Sequence, residues 1–169
     1  MPLDTVSLKK TIFQILLTSE NRTTDLLEII TKDSLLPIIH RQEQTGVCLM
    51  RHSKLVLARS GLCASQNVVR IRCDAVPPAL FAKLIEKRDG IGHLLRSFDF
   101  DNTRQILRFG FIKASAALDL LQRPYELGFN DGEEIPYKEY EITFKHFDNP
   151  GIRVLEYFNP HILNEVSGG

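Results

Sequence analysis

Two hydrophobic periods divide this chain. Up to about residue 31, apolar residues recur at helical spacing; from residue 36 onward the prevailing period is two, interrupted by short helical stretches. Asp4 is placed to cap a first helix running to about Thr18, with Leu8, Ile12, Ile15 and Leu16 on its stripe. Ser19-Glu20-Asn21-Arg22 breaks it. Asp25, with Glu28 three residues later, has the spacing of a capping box and opens a second helix over 25–31. Strands are predicted over 36–42, 47–58 and 62–72, the last two joined by a turn at Arg59-Ser60-Gly61. Pro77-Pro78 opens a helix to about Lys87, because proline in a first turn loses no hydrogen bond. Asp89-Gly90-Ile91-Gly92 is a turn before a short helix over 93–96, and 103–112 is a strand. Residues 113–136 predict a helix over 115–122 and a loop around Asn130-Asp131-Gly132. Strands over 137–147 and 152–159 form a hairpin across Asp148-Asn149-Pro150-Gly151. Helices first, then strands with helices inserted between them, predict one α+β domain on an antiparallel sheet over 1–163, with 164–169 a flexible tail.

Charge narrows the partners. The 169 residues carry 21 basic and 21 acidic side chains, so no basic excess favours a nucleic-acid surface. Any attraction of an anionic ligand must come from local charge. Three cysteines, Cys48, Cys63 and Cys73, form no CxxC, and a chain of this size needs no disulfide staples. They read as reduced thiols of an intracellular, cytoplasmic protein. The apolar run at 12–17 is too short for a membrane span, and no secretory cleavage pattern follows it.

Two charged residues stand where strand alternation expects apolar ones. In the last strand Ile152, Val154, Glu156 and Phe158 share a face. A carboxylate there should be desolvated, with its pKa pushed upward unless donors compensate. In the strand over 47–58, Leu49, Arg51, Leu55 and Leu57 share a face with Ser53 between. Arginine cannot discharge, so a buried guanidinium needs acceptors from the protein or from a ligand. The two positions are a candidate anionic-ligand site. A structural Arg–Glu pair, or a strand buried on one side only, would produce the same alternation.

Other chemistry finds less support. The five histidines show no close metal-ligating pair, and no serine sits in a nucleophile-elbow context. Asp89-Gly90-Ile91-Gly92 is too short for a dinucleotide fingerprint, although backbone N–H groups at that helix start could receive an anion. Arg70, Arg72, Arg104 and Arg108 read as a solvated face, and Tyr137, Tyr140, Phe144, Phe147, Tyr157 and Phe158 as core.

Four segments, in this order, resemble the chorismate pyruvate-lyase family: Leu16-Leu17 followed by Thr23-Thr24-Asp25-Leu26-Leu27-Glu28; Leu49-Met50-Arg51 leading into Leu62-Cys63-Ala64-Ser65; Gly90-Ile91-Gly92-His93-Leu94-Leu95 with Thr103-Arg104; and Val154-Leu155-Glu156-Tyr157-Phe158-Asn159-Pro160. The resemblance implies a six-stranded antiparallel sheet with helices packed on it, a fold shared with the UTRA ligand-binding domains of transcription regulators. It implies a cofactor-independent, metal-free carbon–oxygen lyase that eliminates pyruvate from chorismate to leave 4-hydroxybenzoate. It makes Glu156 and Arg51 the catalytic pair, with Arg51, Ile91, Thr23 and Gly92 binding substrate, Ile91 and Thr23 through their backbone. Gln66 stands where the family has a second basic residue, and residues 113–136 would be free to form a flap over the site. The alternative on the same fold is a non-catalytic small-molecule sensor domain, or another chorismate-processing activity. Only about 20 residues precede the first matching segment, which disfavours a DNA-binding region, and exposed aromatic surface is compatible with a homodimer.

Overall fold

The computed structural model describes residues 4–129, 132 and 134–164. Helix α1 (Thr5–Thr18) starts where Asp4 accepts a hydrogen bond from the Ser7 N–H at 2.6 Å, and α2 (Thr23–Thr31) follows. Strands β1 (Leu35–Thr45), β2 (Cys48–Leu57) and β3 (Cys63–Arg72) form one meander. Helices α3 (Pro78–Ile85) and α4 (Ile91–Phe98) connect it to a second meander of β4 (Asn102–Ile112), β5 (Ile135–Phe144) and β6 (Ile152–Phe158). The two meanders join through β3 and β6 into one six-stranded antiparallel sheet of order β1-β2-β3-β6-β5-β4. This is the α+β domain that the alternation of periods predicts.

The helices cover one face of the sheet, in two apolar clusters. α3 and α4 lay Leu80, Leu84, Leu94 and Leu95 against Leu49, Val69, Tyr140, Ile142 and Val154. α1 and α2 lay Phe13, Leu16, Leu17 and Leu27 against Leu55, Leu57, Ala64 and Phe158. The seam is a polar row: Ser53 lies opposite Asn67, Asn67 opposite Glu156, and Glu156 opposite Lys138, all four buried. Cross-strand neighbours point to the same side, so this row crosses four adjacent strands beneath the helices.

Several local expectations shift. The stripe of α1 that enters the core is Phe13, Leu16 and Leu17, while Leu8 and Ile15 are exposed. α2 begins two residues before Asp25, whose carboxylate accepts from Arg22 Nε at 2.8 Å instead of capping. Residues 115–122 form no α-helix. A short 3-10 turn at Ala114–Ala116 and a bridge between Leu118 and Pro124 replace it, and Ala117, Leu127 and Phe129 pack on Leu155 and Tyr157. Those two side chains face away from Glu156, so residues 117–129 pack on the opposite face of the sheet and none of them lines the predicted site. Asn130 and Asp131 of the predicted loop, and residues 165–169 of the predicted tail, lie outside the described residues.

Candidate functional site

The polar seam opens into a narrow cavity lined by Thr23, Arg51, Ile91, Gly92 and Glu156, the five residues singled out in the sequence, together with Ser53, Asn67, Arg104 and Tyr140. The N-termini of α2 and α4 both end at it, and neither is capped by a side chain. Helix N-termini carry partial positive charge, so the roof of the cavity favours negative or acceptor groups. Gly92 allows this roof to close: a Cβ there would lie 2.5 Å from Thr24 Oγ1. The space for water-sized centres is about 40 Å³, enough for a few waters.

Glu156 is 5% exposed. One of its oxygens accepts from the Tyr140 hydroxyl at 3.3 Å, and Oε2 has no hydrogen-bond partner. Burial pushes its carboxyl above the usual carboxylate range, against the nearby Lys138 ammonium and the Thr23 hydroxyl. Lys138 is 2% exposed and donates to the Leu16 and Ser19 carbonyls at the C-terminal end of α1. Burial lowers its pKa, and the Glu156 charge pulls the other way. Asn67 Oδ1 is also buried without a partner. Asn67 Oδ1 and Glu156 Oε2 therefore line one cavity with no partner in hydrogen-bond geometry, and the Thr23 hydroxyl stands beside Glu156.

Arg51 behaves differently. It is 1% exposed and pairs with no carboxylate among the described residues. Nε donates to Gln42 Oε1 at 2.9 Å, Nη1 to the Asp89 carbonyl at 3.0 Å and Nη2 to the Leu84 carbonyl at 2.6 Å. Gln42 Nε2 reaches the Leu84 and Ile85 carbonyls as well, at 3.3 and 3.4 Å. Arg51 thus satisfies carbonyls at the C-terminus of α3 and in the link to α4. Burial pulls its pKa down to about 10, with the Asp89 charge opposing, so it stays a cation at neutral pH. No ion pair joins it to Glu156 among the described residues; Val69 and Val154 lie between them in the sheet register.

Lys138, Tyr140, Asn67 and Arg104 do not stand out in the sequence as site residues. Lys138 carries a signal, since it interrupts the apolar alternation Lys138-Tyr140-Ile142-Phe144 much as Arg51 and Glu156 interrupt theirs. Of the four strand arginines read as a solvated face, Arg72 pairs with Asp74 on the surface, Arg108 reaches buried Glu139, and Arg104 lines the cavity with its guanidinium 5.4 Å from the Tyr140 ring centre. Among the described residues no group of histidine, cysteine or acidic side chains could hold a metal, and no helix is long and apolar enough to cross a membrane.

No protein-family model and no curated protein matches the chain. Solved structures do. The effector domain of PhnF from Mycobacterium smegmatis superposes with a TM-score of 0.54 at 11% identity, over 83% of this chain and 90% of that one. The longer PhnF structure from the same organism gives 0.53 at 10% identity, over 84% of this chain and 65% of that one. A GntR-family transcriptional regulator from Bacillus cereus gives 0.49 at 8% identity, over 75% and 92%. At these identities the likeness carries the fold alone, the one seen in the PhnF effector domain. It corrects the expectation of a carbon–oxygen lyase: the structures that superpose best above are PhnF and its effector domain, and neither is a lyase. Arg51, expected to meet a ligand carboxylate, has its nitrogens on the protein's own carbonyls and amide.

Proposed function

We propose that this chain is a non-catalytic small-molecule-binding domain of the effector-domain type, whose ligand places a hydrogen-bond donor in the seam beneath α2 and α4. The observation that carries this reading is the convergence of Asn67 Oδ1 and Glu156 Oε2, two buried acceptors without a partner in hydrogen-bond geometry, on one cavity, with the Thr23 hydroxyl beside Glu156. Leaving a buried polar atom unpaired costs about 1–3 kcal/mol, and a ligand hydroxyl or ammonium recovers part of that cost on binding. Ser65 Oγ and the Tyr125 hydroxyl are also buried without partners and lie outside this lining, so it is the gathering of such acceptors on one cavity that points to a ligand. Asn67 and Glu156 on the floor are acceptors and the uncapped helix ends above them offer N–H groups, so the ligand's inner end donates to the floor, and a hydroxyl can accept from the roof as well.

Chorismate and 4-hydroxybenzoate, the molecules to which the sequence resemblance points, each carry a hydroxyl and a carboxylate and are the first probes. In calorimetric titrations 4-hydroxybenzoate is expected to bind at least tenfold more tightly than benzoate, which lacks the donor. Asn67→Leu should remove most of that difference. Chorismate should be recovered unchanged after incubation. Equal affinity for benzoate and 4-hydroxybenzoate would refute the donor-binding reading, and turnover of chorismate would refute its non-catalytic character.

A further inference from the structure

Three arginines line the cavity, and two of them are occupied. Arg51 gives its three nitrogens to Gln42, Leu84 and Asp89, and Arg22 Nε is bound to Asp25 at 2.8 Å. The third, Arg104, makes no ion pair and no side-chain hydrogen bond among the described residues, although its charge, opposing burial, helps hold down the pKa of the Glu156 carboxyl from a distance. Its guanidinium sits against the face of Tyr140, a contact that leaves the N–H edges available. Arg104 also lines a second, open cleft of about 620 Å³ formed with Glu20, Asn21, Asp25, Leu95 and Thr103. Arg22 and Arg104 are the residues common to both spaces, so these two side chains border the inner cavity and the outer cleft alike.

We propose that Arg104 is the anion-receiving residue of this domain, binding a carboxylate or phosphate of the ligand at the mouth of the cavity while the ligand's body occupies the outer cleft. The inference deepens the proposed function and rests on it for the donor end only. Its physical basis is charge placement. The cavity floor already holds the buried carboxyl of Glu156, so a second negative charge beside it would be repelled or would drive one of the two to protonate. An anion at the mouth avoids that contact, and a guanidinium with free edges offers it paired N–H donors. Size agrees: about 40 Å³ inside admits a hydroxyl or ammonium head, whereas about 620 Å³ outside admits the rest of a small molecule. The ligand class is therefore a donor-bearing head linked to a carboxylate or phosphate, with the two ends apart.

Inorganic phosphate is the probe, followed by nitrogen-15 NMR of the full chain with the arginine Nε–H resonances resolved. Phosphate should saturate a response at Arg104, Thr103 and Arg22. Arg104→Met should weaken it at least tenfold, Arg104→Lys less, and Arg41→Gln, an exposed charge change elsewhere, not at all. No saturable response in the wild-type protein, a response unchanged in Arg104→Met, or one centred on Arg51 overturns the proposal. Failure of the donor reading looks different: phosphate behaves as stated, but 4-hydroxybenzoate gains nothing over benzoate.

Discussion

Two glutamates, one on each face of the same sheet, sit in adjacent rows of the β5–β6 ladder. Glu139 lies opposite Leu155, and Glu156 lies opposite Lys138. Glu139 is 1% exposed and fully engaged: Arg153 Nε donates to it at 2.6 Å, and Arg108 binds its other oxygen. Glu156 is nearly as buried, yet one of its oxygens has no hydrogen-bond partner and its cation, Lys138, bonds to helix carbonyls instead. A buried carboxylate with its donors in place is part of the architecture. One held dry and half-satisfied is disfavoured unless something else meets it. The contrast separates charge whose partners are all in place from charge with an oxygen left over, and Arg51, despite its position in the cavity wall, belongs with the first, its nitrogens held by the protein's own acceptors.

The largest expected effect tests that assignment of Arg51. Arg51→Met should lower unfolding stability by roughly 3 kcal/mol, because the Leu84 and Asp89 carbonyls and the Gln42 amide oxygen lose their buried donor. Urea denaturation measures it; a loss below about 0.5 kcal/mol would move Arg51 to the ligand's side of the comparison.

The two glutamates should then respond oppositely. Glu139→Ala, which strands two half-exposed arginines, is expected to cost about 2 kcal/mol at neutral pH. Glu156→Gln should stay within about 1 kcal/mol of the wild type there, since it removes a desolvated charge. The pH profile of Glu156 sharpens this. The folded protein holds the Glu156 proton more tightly than the unfolded chain does. Its contribution is therefore fully present below the ordinary value of 4.5 and is lost as pH rises through the raised folded value. Denaturation midpoints of wild type and Glu156→Gln, compared in steps upward from pH 4.5, should diverge in favour of the glutamine. Parallel curves would mean that Glu156 is already satisfied.

The smallest effect concerns the roof. Gly92→Ala gains helix propensity but drives a Cβ against Thr24 Oγ1, so a net loss of about 1 kcal/mol is expected, seen as a lower Tm. An unchanged Tm would mean that α2 and α4 part without resistance, and with them the walls that keep Glu156 dry.

Much of this is legible in the sequence, and the boundary has a physical cause. Alternation along one strand is a local property, so residue order alone assigns Arg51 and Glu156 to buried faces. The order of periods likewise determines the α+β class and the six strands, because each strand's pattern reflects its own two faces. Only tertiary structure decides what each buried charge meets. Whether Arg51 faces a ligand or the end of α3 depends on a helix more than 30 residues away, and whether Glu156 is satisfied depends on Tyr140 across the sheet. The segment after β4 departs from its predicted helix for a related reason. Its apolar residues suit a helix stripe equally well, and what fixes them is the apolar patch of Leu155 and Tyr157 on the far face of the sheet. Hydrophobic period is written in neighbouring residues; the partner of a buried polar atom is chosen by packing between elements distant in the chain.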